Sequence, residues 1–223
     1  MNHYYVTGTD TGIGKTLAST ALLHALRHRG LRAVGMKPVA SGCVDSGDGP
    51  RNEDALALLA ASDPRPDYAD LNPYALPQPL APEIAAHEAG VEVGLEKIVA
   101  AFRRLQASAD AVVVEGVGGW AAPLATTLDQ ADLVRALRLP VILVVGMRLG
   151  CLNHARLTAR AILDDGCELA GWIANHVDAG MERQDENFEL LTARMQAPCW
   201  GRIPFSPGSA PEVLSKRLQM EDR

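Results

Sequence analysis

GTDTGIGKT, residues 8–16, is the most informative stretch of this chain. It follows the short apolar run YYV and precedes TLASTALLHALRHRG, whose apolar residues recur at helical spacing and stop at Gly30. A glycine-rich loop between a strand and a helix presents backbone N–H groups and the positive end of a helix dipole to phosphate. Gly8 and Gly14 enclose five residues, one more than the usual phosphate-loop pattern allows. The strand and helix around the loop nevertheless favour nucleotide binding over a chance glycine turn.

The rest of the chain alternates short apolar runs with helical stretches. The runs that read as strands buried on both faces are YYVT, LRAVGMK, AVVVE, PVILVV, LAGWIANH and CWGRI. The helical stretches are TLASTALLHALRHRG, EDALALLAA, LEKIVAAFRRLQAS, HARLTARAILDDG and DENFELLTARMQ. This alternation predicts a doubly wound α/β fold with a mostly parallel sheet, helices on both faces and the ligand site at the carboxyl ends of the strands.

Size and composition narrow the function. The chain has 223 residues, which suits one domain over residues 1–223, and a net charge of -6 argues against nucleic-acid or anionic-membrane partners. The four cysteines, spread without a C-x-x-C pair, fit a reducing cytosol, and no apolar run is long enough to span a membrane. We therefore expect a cytoplasmic protein that acts on small molecules.

Residues 63–82 form a proline-rich segment, PRPDYADLNPYALPQPLAP being its core. Proline density predicts neither regular helix nor central strand. Because the segment also carries Tyr68, Leu71, Tyr74 and Leu76, we predict an ordered excursion over the active-site edge rather than a linker.

Several side chains are candidates to bind a nucleotide and its metal. Lys15 is expected to reach the β- and γ-phosphates, and the Thr16 hydroxyl to bind Mg²⁺. Glu115 ends the strand AVVVE, where it is either a Mg²⁺ carboxylate or a surface residue. Asp54 opens the helical stretch EDALALLAA and is either a second metal ligand or a helix N-terminal charge. Asp10 either binds metal or accepts hydrogen bonds from loop amides.

A second group of candidates lies after other strands. Lys37 is the last residue of the second predicted strand and precedes Pro38, in the stretch KPVASG that also contains Ser41. It is either a cation that faces a transferred phosphoryl group or a solvated residue at the strand end. The loop GVGGW after Glu115 lets backbone approach a ligand, and its Trp120 either covers substrate or joins the core. Asn175, ending the strand GWIAN, is placed to read a base edge.

The stretch RLGCLNHA predicts a helix start that either binds a carboxylate or is simply capped by Asn153. No arrangement of a protein nucleophile with its base is evident, since the G-x-S-x-G pattern is absent.

Taken in order, GTDTGIGKT, KPVASG, RNEDALAL, NPYALPQPLAP, VEGVGGW, VILVVGMRLGCLNHA and WIAN resemble the dethiobiotin synthetases of the biotin pathway. The resemblance runs from the first strand to about Pro204. It implies a homodimeric α/β protein of the P-loop NTPase type that uses MgATP and CO₂ to close a cyclic urea on 7,8-diaminononanoate.

The resemblance also implies roles for individual residues. It places magnesium at Thr16, Asp54 and Glu115, and the γ-phosphate and carbamate at Lys15 and Lys37. The implied nucleotide contacts are Gly12, Ile13, Gly14, Lys15, Thr16, Leu17, Glu115, Gly118, Asn175 and Pro204. The implied diamine contacts are Thr11, Lys37, Ser41 and Gly118. The substrate carboxylate is implied to bind Gly150, Cys151, Leu152 and Asn153 of the partner subunit. Thr11 and Ser41 stand with the two lysines as catalytic candidates.

This sequence departs from the family pattern in a few places. Gly12 replaces a frequent Glu, Arg148 a frequent Lys, and His176 a frequent acid, and the stretch after Pro204 diverges.

Two other classes share this kind of fold. A nucleotide switch of the chromosome-partition type typically has a lysine near the start of the loop, where this chain has Asp10. An amide ligase of the cobyrinic acid type carries a glutaminase domain for which this chain has no room. A further alternative is a protein that binds nucleotide without catalysing a reaction. Such a protein would differ from a synthetase in releasing negligible phosphate with every substrate tried.

Overall fold

The computed structural model describes residues 2–220. The strands are β1 (Tyr4–Gly8), β2 (Ala33–Met36), β3 (Val39–Ala40), β4 (Val44–Asp45), β5 (Pro50–Arg51), β6 (Tyr74–Ala75), β7 (Ala111–Glu115), β8 (Pro123–Ala125), β9 (Leu128–Asp129), β10 (Val141–Met147), β11 (Leu169–His176) and β12 (Cys199–Ile203). The helices are α1 (Lys15–His28), α2 (Glu53–Ala61), α3 (Tyr68–Leu71), α4 (Pro82–Glu88), α5 (Leu95–Ser108), α6 (Gln130–Leu137), α7 (Cys151–Asp164), α8 (Gln184–Thr192) and α9 (Pro211–Ser215).

The central sheet has six strands in the order β12-β11-β10-β1-β7-β2, and every neighbouring pair is parallel. All six apolar runs of the sequence supply these strands, so the predicted doubly wound α/β fold is confirmed. Parallel strands place their carboxyl ends at one edge of the sheet. The phosphate loop, Glu115 and Asn175 therefore gather at that edge.

The two faces of the sheet bury separate cores. Along β1, Tyr4 and Val6 pack with α1, α2 and Trp200 on one face, whereas Tyr5 packs with α5, α6 and α7 on the other. The alternation follows from the two-residue period of a strand. Because both faces are covered by helices, the strands are almost wholly apolar, as the sequence runs predicted.

The proline-rich segment is ordered, as predicted; Leu71, Tyr74 and Leu76 are buried and Tyr68 is partly buried. It does contain one short helix, α3, against the prediction of no regular helix. That prediction was wrong because the residues between Pro66 and Pro73 are free of proline and long enough for a single turn. The segment binds the end of β2, since the N–H of Lys37 donates to the carbonyl of Leu71 at 2.7 Å.

Strand β11 covers the whole predicted run LAGWIANH, so Asn175 is its penultimate residue and not its last. Two other boundaries differ from prediction. Strand β2 ends at Met36, so Lys37 follows the strand. Helix α7 begins at Cys151 rather than near His154, with Gly150 as its N-cap. Asn153 is thus a helical residue and not the cap. Within residues 2–220 no helix combines the length and the apolar character needed to cross a membrane.

Candidate active site

The phosphate loop joins β1 to α1 as the glycine spacing predicted. Gly14 is the N-cap of α1 and has φ 81°, a left-handed conformation that favours glycine. A Cβ at this position would also collide with the side-chain amide of Asn175. Lys15 is buried, and its Nζ donates to the carbonyl oxygen of Asp10 at 2.9 Å, so its side chain folds back across the loop. The extra residue between Gly8 and Gly14 is therefore accommodated without losing the loop-to-helix geometry.

Four of the predicted residues meet in one cluster beside the loop. The Thr16 hydroxyl lies 2.6 Å from Asp54 Oδ1 and 3.0 Å from Glu115 Oε1. Lys37 Nζ lies 2.7 Å from Glu115 Oε1, 2.7 Å from the carbonyl of Gly116 and 3.5 Å from Asp54 Oδ2. Lys37 and Glu115 are 3% and 1% exposed, so this ion pair is shielded from water. Neither residue is the solvated surface group that the sequence left as an alternative.

The oxygen atoms of the cluster fit Mg²⁺. Within residues 2–220 no three His, Cys, Asp or Glu side chains form a complete metal cage. Mg²⁺ does not require one, because it is commonly bound by one or two carboxylates together with substrate phosphates and water. Asp54 and Glu115 supply two carboxylates and Thr16 a hydroxyl. Glu115 Oε2 is buried and has no hydrogen-bond partner in the described part of the chain, as expected of an oxygen whose partner is a ligand.

Lys15 is electrostatically different from an ordinary surface lysine. Burial and the positive charge of Lys37 lower the pKa of Lys15 to about 8, against the opposing effects of Glu115, Asp54 and Asp10. Desolvation disfavours the charged ammonium, and a neighbouring cation adds to that effect. The free site therefore holds Lys15 close to losing its proton, and an anionic ligand restores the charged form.

Asp10 accepts hydrogen bonds from the N–H of Thr11 at 2.7 Å and from the guanidinium of Arg148. The N–H of Thr11 and then Arg148 lower the pKa of the Asp10 carboxyl. The structure thus favours the role of Asp10 in binding a loop amide over a role as metal ligand. Arg148, noted only as a departure from the family pattern, ties the loop before α7 to the phosphate loop.

The glycine loop after Glu115 lies against the phosphate loop. A Cβ on Gly118 would come 3.6 Å from Thr11 Oγ1, and one on Gly119 would come 3.6 Å from the carbonyl oxygen of Gly8. Trp120 is buried, and its Nε1 donates to Asp165 at 2.7 Å. Trp120 is therefore a core residue and not a cover for substrate.

One residue that supports the site was not identified from the sequence. Asn52 caps α2, because its Oδ1 accepts from the N–H groups of Asp54 and Ala55. Its Nδ2 donates to the carbonyl of Ser41 at 3.1 Å, which joins the predicted Ser41 to the helix carrying Asp54. An asparagine directly before EDALALLAA was the available signal.

The predicted nucleotide-base region lies at the ends of β11 and β12. Asn175 is buried, and its Nδ2 donates to the carbonyl of Ile13 at 2.7 Å, so part of its amide holds the phosphate loop. Pro204 and His176 line one cavity of about 280 Å³. His176 Nε2 accepts from Arg202 Nε at 2.7 Å, and burial and Arg202 lower the pKa of His176. The imidazole is therefore held neutral.

The helix start expected to bind a carboxylate lies beside the phosphate loop, because Arg148, two residues before Gly150, contacts the Asp10 carboxylate. Gly150 is the N-cap of α7, and Cys151, Leu152 and Asn153 form its first turn. Among the hydrogen bonds of residues 2–220 described above, none joins this turn to Lys15, Lys37 or Glu115. Of the other predicted residues, Ile13 is buried, Leu17 is partly buried and Thr11 is exposed.

Comparison with known proteins gives the family. A family model described as an AAA domain matches residues 2–213. The ATP-dependent dethiobiotin synthetase BioD of Xanthomonas euvesicatoria is 67% identical over 222 residues, covering 99% of each chain. The protein of the same name from Xylella fastidiosa is 64% identical over 219 residues, covering 98% of this chain and 97% of the relative. This chain belongs to the dethiobiotin synthetase family.

Solved structures of more distant proteins share the fold. The MinD cell division protein of Aquifex aeolicus matches with a TM-score of 0.56 at 14% identity, covering 98% of this chain and 88% of that one. The signal recognition particle receptor FtsY of Elizabethkingia anophelis matches with a TM-score of 0.55 at 14% identity, covering 97% and 64%. At such identities these likenesses concern the fold alone. Family membership therefore rests on the dethiobiotin synthetases, and the resemblance seen in the sequence is confirmed.

Proposed function

We propose that this chain, acting as a single domain in the cytoplasm, uses ATP and CO₂ to close the ureido ring of dethiobiotin on 7,8-diaminononanoate. The name and high identity of its relatives support the reaction. The convergence of Thr16 and Lys37 on Glu115 beside the phosphate loop is the structural observation that carries the proposal.

The nucleotide phosphates bind to the loop amides and to Lys15, next to the start of α1. Thr16, Asp54 and Glu115 hold Mg²⁺, which when bound neutralises charge on the β- and γ-phosphates. Asn175, together with Pro204 and the neighbouring cavity, receives the base.

The chemistry needs no protein nucleophile. One substrate amine adds to CO₂ and loses a proton to give a carbamate, whose oxygen attacks the γ-phosphorus and releases ADP. The second amine attacks the carbonyl of the mixed carbamic-phosphoric anhydride, which closes the ring and expels phosphate. The protein positions these groups and neutralises charge, and Lys37 supplies a buried cation at the transferred phosphoryl group. Lys37 must then exchange its contact with Glu115 for the reacting oxygens.

The diamine lies between Thr11, Ser41 and the backbone of Gly118. Its carboxylate reaches the α7 turn, residues 150–153, of a partner subunit, so the working form is a homodimer. Leu149, directly before the turn, is 92% exposed, which favours a covering partner.

The reaction is tested by mixing the purified protein with MgATP, isotopically labelled bicarbonate and 7,8-diaminononanoate. Mass spectrometry is expected to find labelled carbon in a cyclic urea that requires all three components, with ADP released in equal amount. A rate of ATP hydrolysis that does not depend on the diamine would contradict the proposal and favour a nucleotide switch. The rates of urea formation with different nucleoside triphosphates, measured side by side, give the preference of the site for one base.

The role of Lys37 is tested with Lys37→Gln. Removing a charge contact to the transition state is expected to lower turnover by about 10²-fold or more, while nucleotide binding persists because Lys15 and the loop are intact. Lys216→Gln is the matched control, since Lys216 is exposed at the end of α9 and should leave turnover unchanged. Normal turnover with weakened ATP binding in Lys37→Gln would contradict the assignment.

A further inference from the structure

One buried side chain outside the predicted site holds the glycine loop. Gln130, the first residue of α6, is 0% exposed. Its Nε2 lies 3.1, 2.6, 3.2 and 3.4 Å from the carbonyl oxygens of Val117, Gly119, Trp120 and Ala122. Its Oε1 accepts from the N–H of Val117 at 3.2 Å. The two N–H groups of this amide are shared among four loop carbonyls, of which that of Gly119 is the nearest.

The orientation of this amide is fixed by its neighbours. Tyr5, also 0% exposed, donates its hydroxyl hydrogen to Gln130 Oε1 at 2.8 Å. Burial and the charge of Glu115 raise the pKa of Tyr5, so the hydroxyl remains a donor. Backbone carbonyls only accept and the N–H of Val117 only donates, so a rotated amide would lose its hydrogen bonds to the loop backbone and could keep only the contact with the Tyr5 hydroxyl.

The same pair explains a glycine at the start of the loop. A Cβ on Gly116 would collide with Gln130 Oε1 and would lie 2.7 Å from the Tyr5 hydroxyl. The carbonyl of Gly116 in turn accepts from Lys37 Nζ at 2.7 Å. Lys37 therefore binds the first carbonyl of the loop, and Gln130 binds the backbone from Val117 onward.

The loop held in this way forms one wall of the reaction site. Gly118 approaches Thr11, and Gly119 approaches the carbonyl oxygens of Gly8 and Thr9. In the proposed reaction, Thr11 and the Gly118 backbone contact the diamine. A shift of this loop would displace the diamine more than the nucleotide phosphates, because the amides that bind the phosphates belong to a separate segment.

We propose that Gln130 is a positioning residue that sets the backbone of residues 116–122 for binding the diamino substrate. The inference rests on the proposed function and deepens it. Gln130 touches no reacting group; it acts through the carbonyl and amide groups of the loop.

The test uses Gln130→Met, which keeps the length and apolar stem of the side chain but removes its hydrogen bonds. The KM for the diamine is expected to rise about ten-fold, because buried carbonyls lose their donor and the loop shifts, while the Kd for MgADP changes less than about two-fold. Gln196→Met, at an exposed glutamine, is the control. A purely structural effect would lower the active fraction and kcat without changing the KM.

A second readout does not depend on activity. Hydrogen exchange of the protein without substrates should be faster in residues 116–122 of Gln130→Met, and unchanged in the phosphate loop. If Gln130→Met does not fold, Tyr5→Phe removes only the hydroxyl that orients the amide and should give a smaller change in the same direction. An unchanged KM and unchanged loop exchange would overturn the inference. Failure of the wild-type protein to form the urea would instead reject the proposed function.

Discussion

Nucleotide binding should take up protons, because Lys15 is only partly protonated in the free site. Its pKa is lowered to about 8 by burial and by Lys37. Phosphate oxygens beside the ammonium favour its charged form and move this pKa back upward. Binding then draws a proton from solvent, and the amount grows as pH rises through 8.

The magnitude follows from the fraction of neutral Lys15 before binding. That fraction is about one tenth at pH 7, about one half at pH 8 and about nine tenths at pH 9, given a tenfold change in the ratio per pH unit. Where the bound phosphate raises the pKa of Lys15 back to its ordinary value of about 10, the uptake per nucleotide approaches these fractions, and a smaller rise gives a smaller uptake.

The assay is isothermal titration calorimetry of MgADP in pairs of buffers that differ in ionisation enthalpy. MgADP is suitable because its phosphates are already ionised above pH 7. The control is Lys15→Arg, which retains a cation but stays protonated at every pH in question, so its uptake should vanish. No uptake at pH 9 in the wild type, or the same uptake in Lys15→Arg, would refute the reasoning.

Two stability measurements follow from the buried hydrogen bonds around the loop. Glu115→Gln should lower the urea-measured free energy of unfolding by about 3 kcal/mol, because it removes the negative charge that faces the buried Lys37 at 2.7 Å; a loss below about 1 kcal/mol would mean that Asp54 suffices. Asn175→Ala should cost about 1–3 kcal/mol, since the Ile13 carbonyl loses its buried donor. Asn187→Ala is its control: Asn187 is only half-buried and donates to the Arg183 carbonyl at 2.8 Å, so the loss should be about 0.5 kcal/mol.

The sequence predicted the fold well because buried parallel strands and amphipathic helices leave distinct patterns. The six strands and the phosphate loop lie where those patterns placed them. The sequence also predicted the site residues Thr16, Lys37, Asp54 and Glu115. Each of them lies where a strand ends or a helix begins at the carboxyl edge of the sheet. Parallel topology brings such residues together whatever their separation in sequence.

Contacts that depend on side-chain geometry were not predictable in this way. Gln130 follows no strand of the central sheet and belongs to no phosphate-binding motif, and only the folded chain brings it under the glycine loop. Trp120 had two equally good sequence explanations until its hydrogen bond to Asp165 placed it in the core. Helix α3 was missed because proline density was averaged over a segment whose few proline-free residues suffice for one turn.

The charges of the site explain why a metal is expected there. Lys15 and Lys37 are balanced in formal charge by Asp54 and Glu115, and Arg148 is balanced by Asp10. These side chains together offer no excess positive charge to a nucleotide triphosphate. Loop amides and the helix dipole supply only partial charges. A divalent cation on Asp54 and Glu115 would release Lys37 from its carboxylate partners, so the same ion that neutralises phosphate also frees the lysine for the reacting oxygens. The arriving anion also favours the charged form of Lys15, whose pKa is lowered in the free site.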